Sequence, residues 1–404
     1  MDTSERTARA AAPPGSTGYV LSLIRSGRAA TRNELIAATG MSRSTILQRV
    51  NLLLASDLVR DGGSSRSLGG RPPAALSFND RAGVVIAADL GASHGHVAVT
   101  DLGGRSLAER KEPIVVGSGP DAILEWLTST VSDLLAEAGA RPHDTLAAGV
   151  GLPGPVDVVT GRPVNPPIMP GWNGYPVAEA LSEAFGAPAL VDNDVNVMAL
   201  GEHRARSGAL DPLVFVKVAT GIGAGVVIDG TVYRGLHGAA GDIGHIRAPV
   251  GSDAPCTCGG RGCIAALAAG PAVARALTAA GVEASGTGDV VRLVAEGKRE
   301  AFDHVREAGR QLGEVLAGVV SLLAPGAIVV GGELSAAREP LLAGIREVVY
   351  QRSLPLVTGD LQILPSALGA RAGVVGAATL AIEHVVAPAT VERLVAERGG
   401  ARAA

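Results

Sequence analysis

The sequence predicts a winged helix-turn-helix head joined to a larger α/β body of two lobes. Three observations predict it. The chain has 404 residues, more than one hydrophobic core ordinarily organises, so two or three domains are expected. Its charge is divided: residues 1–78 hold ten arginines, no lysine and five acids, so a basic head precedes an acidic body within a chain of net charge -4. Beyond residue 79, four apolar runs each end in a glycine-rich or acidic loop. Their spread over two halves of the chain suggests one nucleotide cleft between two lobes.

The head begins with a short helix over "YVLSLIRS", residues 19–26. In "TRNELIAATG", Thr31 and Glu34 have the spacing of a capping box, and Gly40 is a natural helix stop. Ser42 then caps a second amphipathic helix. Ile46, Val50, Leu53 and Leu54 form its buried stripe, and Arg43, Ser44, Gln48 and Arg49 lie on the opposite face. Two helices around a tight turn make a helix-turn-helix. The following "RDGGSSRSLGGRPPAALSF" reads as a hairpin wing with Arg66 and Arg71 among glycines, suited to phosphates or a minor groove. A plain helical hairpin with a solvated basic face would share some of these features, but not the wing.

In the body, "GVVIAADLGASHGHVAVTDLGG" is a buried strand ending at Asp89, with Gly91 and Ser93 in the turn. It reads as a phosphate loop with a metal-facing carboxylate, although such turns also occur in ordinary hairpins. "APALVDNDVNVMALGEH" delivers Asp192, Asn193 and Asp194 to the start of a helix. A carboxylate there can accept a hydroxyl proton, and Asx residues there can equally serve as helix caps. "LVFVKVATGIGAGVVIDG" holds Thr220, Gly221 and Gly223 between two strands and matches neither a Rossmann nor a Walker pattern. Its backbone N–H groups can still hold an anion. "GAIVVGGELSAA" repeats strand, glycine pair (Gly331, Gly332) and helix.

All three cysteines, Cys256, Cys258 and Cys263, lie within "PCTCGGRGC", and His245 precedes them in "GDIGHI". Three thiolates and one imidazole complete a tetrahedral site that suits Zn²⁺, and a closed set of this kind is structural. Three clustered cysteines do not form a disulfide framework.

These residues, in this order, resemble the ROK family (repressors, open reading frames, sugar kinases). The resemblance covers nearly the whole chain and implies the two-lobed actin-like, hexokinase-like (ribonuclease H-like) α/β fold. It implies that Asp89, Gly91 and Ser93 form the first phosphate loop, Thr220, Gly221 and Gly223 the second, and Gly331 and Gly332 the adenosine loop. Asp194 matches the base of the family's kinases, Asn193 a sugar contact, and His245 with Cys256, Cys258 and Cys263 the zinc ligands. The head followed by "GRPP" matches the family's transcriptional regulators. Two positions depart from the kinases: Asp242 stands for a Glu, and Ala265 stands where a sugar-binding Glu is expected. Losing such an acceptor costs about 1.5–3 kcal/mol.

The expected function is therefore a sugar- or sugar-phosphate-responsive DNA-binding regulator, a repressor, with an ATP-dependent sugar kinase carrying a DNA-binding head as the alternative. Ser44, Thr45, Gln48 and Arg49 would face base edges; Arg43, Arg66 and Arg71 would face phosphates. Asn193, Asp194, Asp242 and His245 would hold the sugar. Zn²⁺ is the expected structural metal, with ATP and Mg²⁺ needed only by a kinase. The partners implied are a double-stranded DNA operator and a second copy or more of the chain, as homodimer or homotetramer. Aromatic residues are 2% of the chain, which argues against a single-strand stacking platform. No apolar run is long enough for a membrane span, and the N-terminus lacks a secretory core, so a cytoplasmic protein, nucleoid-associated when bound to DNA, is expected. The expected divisions are a flexible lead at 1–16, the head at 17–78, a small lobe at 79–197 to which a helix at about 373–390 returns, a large lobe at 198–372, and a flexible tail at 391–404.

Overall fold

A computed structural model describes residues 15–62, 75–248 and 251–401. Most of the expected lead, and the wing loop with Arg66 and Arg71, lie outside the described residues. The head consists of α1 (Thr17–Arg25), α2 (Arg32–Thr39), α3 (Arg43–Ala55), β1 (Val59–Gly62) and β2 (Ala75–Phe78). Its local signals act as the sequence suggests. The Thr31 hydroxyl accepts from the Glu34 N–H while the Glu34 carboxylate accepts from the Thr31 N–H. Gly40 closes α2 at φ 68°, a left-handed conformation glycine adopts without strain. Ser42 then caps α3 by accepting from the Thr45 N–H at 3.2 Å. β1 and β2 pair antiparallel from Val59↔Phe78 to Gly62↔Ala75, forming the base of the wing.

The first lobe begins with β3 (Val84–Leu90), β4 (His94–Asp101) and β5 (Ser106–Pro113), an antiparallel meander. After α4 (Pro120–Glu137), β6 (Thr145–Leu152) adds parallel to β3. The short pair β7 (Val156–Asp157) and β8 (Arg162–Pro163) and then α5 (Val177–Phe185) lead to β9 (Ala189–Asn193), parallel to β6. The order across this sheet is β5-β4-β3-β6-β9. β3 is buried along its length, as expected for a strand covered on both faces.

The second lobe repeats that plan. After α6 (Asp194–Ala205) come β10 (Leu213–Val218), β11 (Ile222–Ile228) and β12 (Thr231–Tyr233), again an antiparallel meander. The helices α7 (Ile264–Ala268), α8 (Gly270–Ala279), α9 (Thr287–Ala295) and α10 (Arg299–Leu323) precede β13 (Ala327–Gly331). After α11 (Glu339–Arg352) and α12 (Pro355–Thr358) comes β14 (Gln362–Pro365). β13 is parallel to β10 and β14 to β13, giving the order β12-β11-β10-β13-β14. Two sheets of like order make this the actin-like α/β architecture.

The chain then returns through α13 (Ala372–Val385) to β3, β6 and α6 and ends in α14 (Pro388–Ala401). Two expected divisions change. The boundary at 197/198 cuts through α6, because that helix packs on β6 and β9 of one sheet and on β10 and β11 of the other. The crossing of α6 and α13 is tight enough to need glycine: a Cβ on Gly376 would lie 1.7 Å from the Val197 carbonyl oxygen. The tail expected to be flexible from 391 is instead helical. Val391 and Val395 are buried in the same core as Val20, Leu21 and Val50 of the head. Each such side chain contributes roughly 1.5–3 kcal/mol.

Candidate functional site

The exposed face of α3 carries Arg43, Ser44, Leu47, Gln48 and Asn51. Ser44, Leu47, Gln48 and Asn51 fall at i, i+3, i+4 and i+7, so they share one face, as a recognition helix requires. Thr45 is half-buried, its hydroxyl 2.8 Å from that of Ser42. Arg49 does not meet its expectation. It lies three residues after Ile46 and four before Leu53, on the buried side, and its Nη1 donates to the Thr17 hydroxyl at 3.3 Å. Thr17 in turn donates to Glu392, from its N–H at 2.5 Å and its hydroxyl at 3.1 Å. Arg49 therefore ties α3 to α1 and α14 instead of facing base edges. Leu47 and Asn51 were missed; the period of 3.6 that exposes Ser44 and Gln48 was the signal for them.

In the body, the carboxyl ends of β3, β6 and β9 lie side by side. Asp89, Gly151 and Asp192 are consecutive partners across the sheet, just before the N-terminus of α6. Asp192 is satisfied: it accepts from the Asn193 N–H, from Asn196 Nδ2 at 2.9 Å and from Arg234 Nε at 2.7 Å. Asn193 is engaged too. Its Oδ1 caps α6 by accepting from the Val195 N–H at 3.0 Å, and its Nδ2 donates to the Gly154 carbonyl at 2.7 Å. Asp194, the first residue of α6, is buried and ion-paired with Lys217 Nζ. Burial raises the Asp194 carboxyl above its ordinary value, with the Asp89 charge adding to this and Lys217 opposing it. Burial pulls the Lys217 ammonium down, but Asp194 and Asp89 outweigh that, so it stays charged. Asp194 and Lys217 thus form a buried pair in which each charge offsets part of the other's cost of burial.

Both Asp89 carboxylate oxygens are buried with no hydrogen-bond partner among the described residues. His94 Nε2 stands 3.8 Å from Asp89 Oδ2, and its ring covers Gly91, where a Cβ would meet it at 2.2 Å. Ser93 is exposed beside it. Thr220 and Gly221 are exposed at the tip of the β10–β11 hairpin, where the Ala219 N–H donates to Gly221 O at 2.9 Å. Gly223 and Gly331 flank Lys217 in register across the second sheet, and Gly332 follows at φ 85°. The structure therefore brings Asp89 and Asp194 together, with Lys217 between the lobes as an unforeseen third member. A lone lysine in the apolar run Leu213–Val218 was the available signal.

His245, Cys256, Cys258 and Cys263 converge, their donor atoms all within 4.8 Å of one another. Cys258 Sγ is 3.7 Å from Cys263 Sγ, and Cys256 Sγ is 3.6 Å from His245 Nδ1. A tetrahedron with bonds of about 2.3 Å to sulfur and about 2.0–2.1 Å to nitrogen has edges of nearly these lengths. Burial, with Cys258 and Cys256 beside it, pushes the Cys263 thiol up to about 12, whereas the Gly260 N–H lowers that of Cys258. Backbone bonds from Ile264 N to Ile246 O and from Ala265 N to Gly244 O bind the histidine segment to the cysteine loop. Asp242 is exposed, 3.9 Å from His245 Nε2. The His245 ring thus turns its Nδ1 to the sulfur cluster and its Nε2 toward Asp242.

Comparison with known proteins gives consistent matches. The ROK family model matches residues 85–384. The xylose repressor of Caldicellulosiruptor bescii is 27% identical over 91% of this chain and 95% of its own length. A crystal structure of a ROK family transcriptional regulator, a homolog of the E. coli Mlc protein, superposes with a TM-score of 0.80 at 26% identity, covering 94% of this chain and 98% of that one. A ROK family glucokinase from Streptomyces griseus, solved with glucose and AMPPNP, gives a TM-score of 0.62 at 29% identity, covering 74% and 99%.

Proposed function

The chain belongs to the ROK family, and from that premise we propose that it is a DNA-binding transcriptional repressor that responds to a sugar or sugar phosphate. The observation that carries this reading is the extent of the matches. The repressor relative and the regulator structure cover 91% and 94% of the chain, whereas the glucokinase covers 74%. A regulator accounts for a folded helix-turn-helix whose core is continuous with that of the body.

In this reading Ser44, Thr45, Leu47, Gln48 and Asn51 face the major groove. Asn51 pairs with an adenine edge or an equivalent, Leu47 supplies apolar contact, and Arg43, Arg66 and Arg71 meet phosphates. A homodimer or homotetramer places two heads on paired half-sites. The sugar lies between the lobes near Asp194 and Asp242, with Asn193 holding the Gly154 loop in place. Zn²⁺ held by His245, Cys256, Cys258 and Cys263 fixes the segment that carries Asp242. Ligand binding changes the closure of the lobes about α6, and α13 and α14 carry the change to α1 and α3. The coupling needed is about 1–3 kcal/mol.

The glucokinase likeness favours a second reading, an ATP-dependent sugar kinase, in which Mg²⁺ and ATP would sit on the loops at Asp89, Thr220 and Gly331. The Lys217 ammonium on Asp194 opposes a divalent cation there, although both Asp89 oxygens lack a hydrogen-bond partner among the described residues. DNase I footprinting of sugar-uptake promoters tests the regulator reading. The expected result is protection of a pseudo-palindrome, weakened about tenfold or more by Asn51→Ala. No protected site at moderate salt would overturn it.

A further inference from the structure

We propose that Lys217 is an internal cation that takes the place of a divalent metal beside Asp89 and Asp194, so that this cleft holds its ligand without metal. The inference rests on reading the cleft as the effector pocket of a regulator.

Strand parity places Lys217 on the face of β10 shared by Leu213 and Phe215, which pack in one cluster with Val195 and Ala199 of α6. Val214, Val216 and Val218 belong to the opposite core. The neighbours in register on either side of Lys217 are Gly223 and Gly331, so no side chain on the flanking strands competes for the space the lysine uses. Its Nζ reaches Asp194 Oδ2, and only 15% of the Lys217 side chain is exposed.

Two buried carboxylates close to one another form the charge pattern that a divalent cation answers. Here the compensating charge is covalently attached. Asp89 is left with buried, unpartnered oxygens and a backbone neighbour that excludes other groups: a Cβ on Gly373 would lie 2.0 Å from Asp89 Oδ2. Added Mg²⁺ would have to approach the ammonium at short range, and like charges in a weakly screened site repel strongly. Asp194 gives its Oδ2 to the ammonium, and the positive charge beside it favours the ionised carboxylate and so weakens it as an acceptor of a substrate proton.

The test is Mn²⁺ binding, read by the electron paramagnetic resonance of free Mn²⁺ and by melting temperature, on the full-length zinc-loaded chain. Neither DNA nor sugar is present, so the result is independent of whether the chain binds an operator. The wild type is expected to bind no Mn²⁺ at sub-millimolar concentration. Lys217→Ala is expected to bind one ion at least about tenfold more tightly and to gain melting temperature with it. Adding Asp194→Asn to that variant should abolish both gains. Lys217→Met, closer in volume, serves if the alanine variant does not fold. One Mn²⁺ bound by the wild type as tightly as by the variants, or no Mn²⁺ bound by a folded Lys217 variant, overturns the proposal. The wild-type titration alone can overturn it.

Discussion

Lys217, Arg49 and the cysteines each show a side chain whose partner decides its role. Cys258 is exposed and Cys263 buried, yet their sulfurs lie 3.7 Å apart. If a metal holds them, Cys258→Ser should lower the bound zinc from about one per chain to well below that. It should also destabilise the second lobe, because binding energy at a closed site is folding energy. Elemental analysis with a thermal melt checks this; full zinc content in the variant contradicts it. The same residues show what a sequence can and cannot reveal. The spacing of the cysteines and the caps at Thr31, Gly40 and Ser42 are local, so they were legible. Arg49 was misassigned because its side of α3 is fixed by α1 and α14, which lie far off in the chain. Lys217 was not legible as a site residue, because strand parity names a face and not what stands across from it.

Among the elements, α6, α13 and α14 connect the cleft to the head. Glu202 of α6, fully buried, accepts from Arg206 Nε at 3.0 Å, Ser366 Oγ at 2.8 Å and the Ala367 N–H at 2.6 Å, so the segment entering α13 is bound to the helix that starts at Asp194. At the other end, Arg398 of α14 donates to the carbonyls of Ser56 and Ala82, where head and body join. Little of α14 could be read in advance. Its apolar residues are few, and their partners lie in α1 and α3 at the opposite end of the chain. In the last turn of α13 stands His384, whose Nε2 is buried with no partner among the described residues. Burial, and Arg393 second, hold it below its ordinary value of 6.5. The unfolded chain then binds the proton more readily, so stability is full above about pH 6.5 and falls as pH drops toward the lower folded value. Melting temperature should therefore fall more steeply below about pH 6.5 in the wild type than in His384→Leu. Parallel profiles would contradict this.

At the scale of the whole molecule, two sheets of like strand order meet over one shared helix, and the head packs on the last helix, α14. The two-lobed plan was legible because every strand that ends in a functional loop is a short apolar run closed by glycine or aspartate. The ion pairs across the lobes, Lys217 with Asp194 and Arg234 with Asp192, were not, because their partners lie far apart in the chain. Such a molecule can store a ligand's binding energy as a change in lobe closure and release it as a change in DNA affinity. The central claim is that sugar and DNA are coupled through this body. The most direct test is fluorescence anisotropy of a footprinted operator duplex, titrated with the chain in the presence of a panel of sugars and sugar phosphates. The account predicts that one of them shifts the operator Kd by at least about fivefold, as a coupling of about 1 kcal/mol requires, without forming ADP from ATP. An operator Kd indifferent to the whole panel, with ATP-dependent turnover of a hexose, would contradict it.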